Sequence, residues 1–490
     1  MAWLTKSRYL AGLQCAKRLW FEIHQPLTEP QPESVAFYQG RAVDAIAREL
    51  QPGLHITRER GMPASISETA RVMAAQAPSV LHQAAFRRGD LAAVVDVLRR
   101  HGGAFDLVEV KAATSVKPEH VADAAFQTLV LRAAQVPVGT VLLSHVDSGF
   151  VLKEAGNYAG LLLEEDITAA VEESLDEVAA TAHGLQQVMA ASRQPAIAMG
   201  AQCHAPYDCP FIPRCTAAAR PAPQYPVSLL PRGAKLAEQL IGEGFEDLRD
   251  VPAERLSGDL HRRVHDATVS GEPYFNAAAT AALRELPFPR AYLDFETISF
   301  AVPQILGSGP YWQLPFQWSV QVEEADGSVR EAEYLAIESF GDFAALAAAL
   351  LAAIPEQAPV LAYNASFEAR VLLDLAKRLP HYAEQLKGIA ERLFDLLPVT
   401  REAYYHRDMR GSWSIKSVVP TICPDLSYQH LSEVQDGDSA QLAFLQLRDP
   451  KVKGPRRDAL TQALLRYCRQ DTWAMVELAR FLSGRAVTRH

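Results

Sequence analysis

Residues 291–297, Ala-Tyr-Leu-Asp-Phe-Glu-Thr, alternate apolar and acidic side chains in the pattern of a β-strand. Because the side chains of a strand point alternately to its two faces, Asp294 and Glu296 share one face while Leu293 and Phe295 share the other. Two carboxylates on one face repel each other unless a cation lies between them. The stretch therefore predicts a sheet that carries a metal site.

Two further acidic motifs follow this strand. Residues 363–368, Tyr-Asn-Ala-Ser-Phe-Glu, come after an apolar run and bring Glu368 to the start of a helix. Residues 466–471, Arg-Tyr-Cys-Arg-Gln-Asp, place Tyr467 and Asp471 four apart, on one helical face. Four carboxylates can hold two divalent ions about 4 Å apart, an arrangement that stabilises the attacking and leaving oxygens in phosphodiester hydrolysis. We expect Tyr467 to orient the attacking water.

This set of motifs resembles the DEDD exonucleases of the DnaQ-like, ribonuclease H-fold class, in the subgroup with tyrosine (DEDDy). The likeness covers residues 290–485. It implies 3′-5′ removal of nucleotides from single-stranded ends, with Tyr467 as the catalytic residue that positions water. The second motif of the family normally ends in aspartate, so Glu368 is one methylene longer. Asp395 is either an auxiliary acid or a helix cap. The implied Mg²⁺ or Mn²⁺ ligands are Asp294, Glu296, Glu368 and Asp471.

A second pair of acids lies in the N-terminal half. Asp96 interrupts an apolar strand-like run, and Val108-Glu109-Val110-Lys111 places an acid and a lysine on one face of the next strand. Two carboxylates can hold Mg²⁺ or Mn²⁺ against a phosphodiester, while the lysine orients water and stabilises negative charge. The alternative is an exposed Glu-x-Lys pattern without function. Gln127 lies on the following helix, predicted over residues 118–134 with a proline near its first turn, where its amide could hold the lysine or the substrate.

These N-terminal residues resemble the PD-(D/E)XK nucleases, in particular the RecB-like branch. The likeness covers residues 1–220 and includes the segments 4–7 and 37–44. It implies that Asp96 and Glu109 bind metal and that Lys111 and Gln127 are catalytic. The family often has a histidine ligand on its first helix, where this chain has Asp44, and a tyrosine four residues after the glutamine, where this chain has Leu131.

Four of the six cysteines form a split pattern, with Cys15 near the start and Cys203, Cys209 and Cys215 after the predicted nuclease core. Thiolates gathered in fours select zinc or an iron-sulfur cluster, and the five-residue gaps here are wider than those of common zinc knuckles. The arrangement is similar to that of RecB-like nucleases with a [4Fe-4S] cluster, which implies a cluster that joins the two ends of the domain. For Cys423 and Cys468, core packing is a sufficient explanation.

The length and composition of the chain indicate more than one domain. At 490 residues, with 49% hydrophobic and 22% charged residues, it is long enough for two globular domains plus a connector. We predict an α/β fold with a PD-(D/E)XK nuclease core in residues 1–220 and a ribonuclease H-like exonuclease domain in residues 290–490. A mainly helical connector, residues 221–289, carries repeated prolines.

The charge and the apolar runs limit location and partners. The N-terminus lacks the apolar run of a secretory signal, and the longest apolar run, residues 343–354, is too short for a membrane span, so we expect a cytoplasmic protein without a membrane partner.

A net charge of -10 requires any nucleic acid to meet local basic surface. Basic clusters at 87–100 and 451–457 are candidates, or else solvated faces. Aromatic residues at 311–318 either stack on bases or pack over the sheet.

The combined motifs predict a metal-dependent dual nuclease acting on DNA. An RNA 3′-5′ exonuclease is one alternative, because the same acids serve both polymers and no motif reads the sugar hydroxyl. The other alternative is a nucleic-acid-binding adaptor in which one centre is degenerate, which the departures at Asp44, Leu131 and Glu368 motivate. Protein partners are not indicated by the sequence.

Overall fold

The computed structural model describes residues 2–28, 34–75, 79–219, 221–431 and 433–487. The chain forms two compact units of mixed α/β structure. Unit 1 comprises Met1–Pro221 and Ser299–Trp312, and unit 2 comprises Ala222–Ile298 and Gln313–His490. The expected α/β class is therefore confirmed.

Unit 1 is built on one mixed sheet. Its strands run in the order β2-β3-β4-β5-β6-β7, and β1 pairs with β4. Strands β3, β4 and β5 are antiparallel neighbours, whereas β6 is parallel to β5. The strands are β1 (Leu4–Thr5), β2 (Leu54–His55), β3 (Val80–Arg88), β4 (Leu91–His101), β5 (Ala104–Lys111), β6 (Val138–Val146) and β7 (Leu162–Asp166).

Helices cover this sheet and connect its strands. The parallel step from β5 to β6 requires a crossover, which helix α5 supplies. The helices are α1 (Lys6–Gln14), α2 (Ala16–His24), α3 (Val35–Leu50), α4 (Met62–Ala74), α5 (Pro118–Ala133), α6 (Thr168–Ala190) and α7 (Ile212–Ala218). Pro118 stands in the first turn of α5, where its missing N–H costs no helical hydrogen bond. The sequence predicted α5 to within one residue.

A tight turn sets the register of the first acidic pair. His101 pairs with Ala104 across a two-residue turn, and Gly102 takes a φ of +59°, which such turns require. The pairing of β4 with β5 ends at Val97 and Val108, next to Asp96 and Glu109, and the Val110 amide donates to Asp96 Oδ2 at 3.0 Å. Local turn geometry thereby brings the two acids together.

Unit 2 contains a second mixed sheet in the order β11-β10-β9-β12-β13, with β8 and β14 as a separate pair. Central strand β9 is antiparallel to β10 and parallel to β12. The strands are β8 (Tyr274–Phe275), β9 (Arg290–Ile298), β10 (Leu314–Glu323), β11 (Val329–Leu335), β12 (Val360–Ala362), β13 (Leu393–Asp395) and β14 (Tyr404–Tyr405).

The long C-terminal helix of unit 2 lies against this sheet. Along β10, Gln317 donates to the Leu464 carbonyl at 2.8 Å, Ser319 bonds Thr472 at 2.9 Å, and buried Glu323 accepts from Arg480 at 2.7 Å. These contacts fix the helix along the strand. The helices are α8 (Ala234–Gly242), α9 (Asp259–Ser270), α10 (Ala281–Glu285), α11 (Phe343–Ala353), α12 (Ser366–Arg378), α13 (Ala383–Glu391), α14 (Leu396–Ala403), α15 (Ile415–Ile422), α16 (Gly437–Leu447) and α17 (Pro455–Leu482).

The segment predicted as a connector packs into unit 2. Leu240, Leu248 and Val264 belong to one buried cluster with Tyr404 and Met475. Residues 299–312, in contrast, belong to unit 1, where the Gln39 amide donates to the Ser299 carbonyl at 2.6 Å and accepts from the Ala301 amide at 2.7 Å. The three-part division at 220 and 289 stays a prediction.

Two aromatic residues of the segment 311–318 lie on β10. Phe316 and Trp318 are buried, and the Trp318 indole donates to the Leu346 carbonyl at 3.2 Å. Packing over the sheet, rather than stacking on bases, accounts for these two residues. Among the described residues, none of the helices combines the length and the apolar character that a membrane span needs.

Candidate metal centres

Three acids of unit 2 converge on one point. Asp294 and Glu296 project from the central strand β9, and Asp471 projects from α17 onto the same place. One oxygen from each carboxylate lies within 4.8 Å of the other two. Residues more than 170 positions apart thus meet because α17 packs across β9. The alternation in 291–297 predicts the shared face of Asp294 and Glu296, and the motif 466–471 predicts the contribution of Asp471.

Burial and mutual repulsion make this cluster hard to ionise. Burial, then the charges of Asp471 and Glu296, raise the pKa of Asp294 well above its ordinary value. Burial and Asp471 raise the pKa of Glu296 to about 8, against the opposing effect of Lys416. Burial also raises the pKa of Asp471 to about 6, although hydrogen bonds from two tyrosines favour its charged form. The negative charge is only partly compensated by the protein.

Glu368 stands in the first turn of α12, just after β12, and is 3% exposed. Its Oε2 is buried and has no hydrogen-bond partner among the described residues. Burial raises the pKa of Glu368 to about 8, and its charge raises the pKa of both Asp294 and Glu296. Its carboxylate lies outside the group of three. It is nevertheless close enough to repel them, and its free oxygen can accept a ligand.

Asp395 has a structural role. Its Oδ1 accepts hydrogen bonds from the backbone amides of Asn364 and Leu397, both at 2.9 Å, and it caps α14. The interpretation of this acid as a helix cap is therefore confirmed.

Three side chains around the cluster were not identified from the sequence as part of the site. The Lys416 ammonium donates to the Tyr467 hydroxyl at 3.1 Å, and the Tyr428 hydroxyl donates to Asp471 Oδ1 at 2.5 Å. Cys468 donates from Sγ to Asp294 Oδ2 at 3.4 Å, so it has a polar contact in addition to core packing. Lys416 and Tyr428 stand in no recognisable motif, whereas Cys468 lies inside the motif 466–471.

In unit 1, Glu109 lies at the centre of a charged cluster. Its Oε1 accepts from Lys6 at 2.8 Å and from Lys111 at 2.7 Å, and its Oε2 accepts from the Gln127 amide at 2.6 Å. Asp123, one turn before Gln127 on α5, accepts from Lys111 at 2.6 Å. The structure thus brings together Glu109, Lys111 and Gln127 as expected, and adds Lys6 and Asp123.

The lysines of this cluster control its charge. Burial alone would raise the pKa of Glu109, but the ammonium groups of Lys6 and Lys111 hold it well below its ordinary value. Conversely, Glu109 raises the pKa of Lys111 against the opposing effect of burial. Gln127 is fully buried, and its amide nitrogen contacts Glu109 and Asp123 rather than Lys111. It therefore positions Glu109 in this structure.

Asp96 and Asp44 flank this cluster. The Gln83 amide donates to Asp96 Oδ1 at 3.1 Å and to Asp44 Oδ1 at 3.4 Å, so it bridges the two acids. Arg48 forms an ion pair with Asp44. Burial, then the charge of Glu109, raise the pKa of Asp96 to about 7. Asp44, Asp96 and Lys111 line one open cleft of unit 1, which we call the Asp96 cleft.

The four patterned cysteines line a single small cavity of unit 1. All four cysteines are free thiols. Among the described residues, no three of their sulfur atoms lie within 4.8 Å of one another. A Zn–S bond of about 2.3 Å would place the sulfurs of a tetrahedral zinc site about 3.8 Å apart. The four sulfurs are therefore not arranged as in a tetrahedral zinc site. Cys423 lies apart, buried in the core of unit 2.

Comparison with known proteins identifies one matching family and two relatives. Residues 291–414 match a family described as "Domain of unknown function (DUF2779)", a span that contains Asp294, Glu296 and Glu368 but not Asp471. An uncharacterized protein of Mycoplasma pneumoniae is 31% identical over 222 residues, which are 41% of this chain and 33% of that protein. An uncharacterized protein of Mycoplasma genitalium is 27% identical over 212 residues, 39% of this chain and 32% of that protein. The chain thus matches about a third of the length of these curated relatives.

Proposed function

We propose that this chain is a metal-dependent nuclease that hydrolyses DNA phosphodiester bonds, with its principal centre in unit 2. The observation that carries the proposal is the convergence of Asp294, Glu296 and Asp471 within 4.8 Å. Such a buried set of acids is costly unless cations bind it. In this proposal unit 2 is a DnaQ-like exonuclease domain that removes nucleotides from the 3′ ends of single strands.

The residues of the cluster fit divalent cations. Oxygen ligands suit Mg²⁺ and Mn²⁺, and the unpartnered Oε2 of Glu368 adds a fourth carboxylate to the three that converge. Asp294, Glu296, Glu368 and Asp471 would hold the metal. Two bound divalent ions would stabilise negative charge on the attacking and leaving oxygens of the phosphodiester.

Tyr467 is suited to orient water. Burial, then the charges of the surrounding acids, raise the pKa of Tyr467, so its phenol keeps its proton at neutral pH. Lys416 donates to the Tyr467 oxygen at 3.1 Å, and the Tyr467 hydroxyl hydrogen-bonds to Asp471. These two contacts hold the phenol beside the acids, where it can orient the attacking water.

We extend the proposal to unit 1 as a RecB-like PD-(D/E)XK centre. Asp96 and Glu109 would hold the metal, and Lys111 would stabilise developing charge on the phosphate. Asp44 lines the same cleft and could add a ligand after release from Arg48. Gln127 holds Glu109 in place.

We also propose that Cys15, Cys203, Cys209 and Cys215 hold a [4Fe-4S] cluster. Their shared cavity and free thiols support this assignment. Cys15 precedes α2 and the other three follow α6, so a cluster would join the two ends of unit 1. Iron and sulfide analysis of anaerobically purified protein tests it. We expect four of each per chain, and less than half of that in Cys209→Ser. Stoichiometric zinc without sulfide would overturn the assignment.

Digestion of end-labelled oligonucleotides tests the nuclease proposal. Single-stranded DNA and RNA of one sequence are incubated with Mg²⁺ or Mn²⁺ and with the wild type, Asp96→Ala, Asp294→Ala or the double variant. We expect Asp294→Ala to abolish the ladder of products shortened from the 3′ end. A ladder that persists in Asp294→Ala would overturn the proposal for unit 2. A faster ladder on RNA than on DNA would favour the RNA exonuclease instead.

One observation favours a second candidate function for unit 1, that of a nucleic-acid-binding module with a degenerate centre. Both oxygens of Glu109 are already engaged, Oε1 by two lysines and Oε2 by Gln127. A metal would have to displace at least one of these contacts. Cleavage that is unchanged in Asp96→Ala but lost in Asp294→Ala would assign binding, rather than hydrolysis, to unit 1.

A further inference from the structure

Two large aromatic side chains are exposed on the Asp96 cleft. Phe37, on α3, is 58% exposed, and Tyr207, between Cys203 and Cys209, is 69% exposed, and both line the cleft. A single exposed aromatic residue is common on a protein surface, whereas these two line the same cleft and are both available to a ligand that enters it. Aromatic faces of this kind can stack on nucleic-acid bases of any sequence.

The same cleft carries exposed positive charge. Arg41, Arg58 and Lys117 are exposed and line it. The Arg41 guanidinium lies 4.8 Å from the centre of the Phe37 ring, so a cation and an aromatic face are presented together. On a chain with a net charge of -10, this local basic surface is where a phosphate backbone could approach.

The backbone that carries Tyr207 is held in place. The Gln14 amide donates to the Tyr207 carbonyl at 2.6 Å and to the Gln202 carbonyl at 2.8 Å, and the Cys209 amide donates to the Cys203 carbonyl at 2.7 Å. A fixed backbone lowers the entropy lost when a ligand contacts the side chain. Tyr207 is thus exposed on an ordered loop.

We propose that Phe37 and Tyr207 form a base-stacking platform for single-stranded nucleic acid, with Arg41, Arg58 and Lys117 contacting its phosphates. The proposal deepens the proposed function, because it names the ligand of the unit 1 cleft and the residues that hold it. A single strand fits better than a duplex, since its bases are free to stack on side chains.

Binding measured without cleavage tests the platform. Fluorescence anisotropy of labelled oligothymidylate, oligouridylate and a DNA duplex is recorded with the full chain in EDTA. We expect Phe37→Ala and Tyr207→Ala each to weaken single-strand binding roughly 5- to 100-fold. Tyr207→Phe should retain binding, because it keeps the ring. Leu163→Ala, which truncates another exposed apolar side chain of unit 1, is the matched control.

Salt dependence tests the phosphate contacts separately. Arg58→Gln and Lys117→Gln should each lower the slope of log Kd against log salt by about 0.7, the value for one contact on a single strand. Single-strand binding unchanged in both aromatic variants, or no binding by wild type, would overturn the platform. Platform-dependent binding in a protein that cleaves nothing with Mg²⁺ or Mn²⁺ would uphold it and refute the nuclease proposal.

Discussion

The two acidic centres differ in how their charge is balanced. In unit 1, Lys6 and Lys111 both contact Glu109, and its pKa is held well below the ordinary value. In unit 2, Asp294, Glu296 and Asp471 converge with Lys416 as a more distant cation, and the pKa of Glu296 rises to about 8. In the first centre lysines pair with the central carboxylate, whereas in the second burial and mutual repulsion raise the pKa values of the acids. Similar motifs thus give opposite electrostatic states.

The largest effect is expected from removing the Glu109 carboxylate, which balances the two lysines of the unit 1 centre. Glu109→Gln removes the carboxylate that both Lys6 and Lys111 contact and leaves Asp123 as their remaining acidic partner. We therefore expect it to lower the free energy of unfolding of unit 1 by about 3 kcal/mol. Hydrogen exchange of peptides from β4 and β5 across a urea series in EDTA measures this. Glu173→Gln, the same change on the exposed face of α6, should alter it by less than about 0.5 kcal/mol. Equal losses of stability in Glu109→Gln and Glu173→Gln would contradict the conclusion that Glu109 balances the charge of the unit 1 centre.

A hydroxyl deletion tests the second centre. Tyr467→Phe removes the phenol that we propose orients water, so we expect kcat to fall about 100-fold with little change in KM. Steady-state digestion of single-stranded DNA with Mn²⁺ provides the measurement. Tyr334→Phe deletes a hydroxyl elsewhere in unit 2 and should leave kcat unchanged. A variant as fast as wild type would exclude a role for Tyr467 in the reaction.

Cation binding should stabilise unit 2 more than unit 1. A divalent ion at about 100 times its Kd stabilises the folded state by about 2.7 kcal/mol, and the uncompensated acids are in unit 2. Thermal unfolding with Mn²⁺ and with EDTA, resolved by unit through hydrogen exchange, checks this. Asp294→Asn should remove most of the gain in unit 2. A larger gain in stability with Mn²⁺ in unit 1 than in unit 2 would contradict the assignment of the stronger metal-binding centre to unit 2.

The smallest expected effect is a gain in stability without metal. Asp294→Asn removes one repelling carboxylate, so we expect unit 2 in EDTA to become more stable by about 1 kcal/mol, opposite in sign to Glu109→Gln. Urea unfolding in EDTA measures it, with the exposed change Asp326→Asn as control. A loss of stability would contradict the repulsion argument.

The same repulsion makes the stability of unit 2 depend on pH. Because the folded pKa of Glu296 is raised to about 8, the folded state binds more protons than the unfolded state between its ordinary pKa and about pH 8. The stability of unit 2 in EDTA should therefore fall as pH rises from about 6 to about 8. Saturating Mn²⁺ should abolish this trend, and a rise in stability over that range would refute it.

Part of the fold followed from local patterns. Helix α5 and strands β4, β5 and β9 match their predicted positions because alternation and a proline at the helix start are local signals. Residues 162–166 form the edge strand β7, and helix α6 begins directly after it at Thr168. That strand is largely exposed and polar, so only its pairing with β6 distinguishes it from a helix. The three-residue strand β13 is too short to show a period.

The sequence by itself determined which acids share a strand face, because side-chain alternation depends only on neighbouring residues. It also determined the tyrosine and aspartate of motif 466–471, which share a helical face. Only the tertiary structure decided how each centre is charged. Lys6 lies 103 residues from Glu109, and Lys416 lies 51 residues from Tyr467. Contacts between such distant residues depend on how helices pack against the sheets, and no local pattern encodes that.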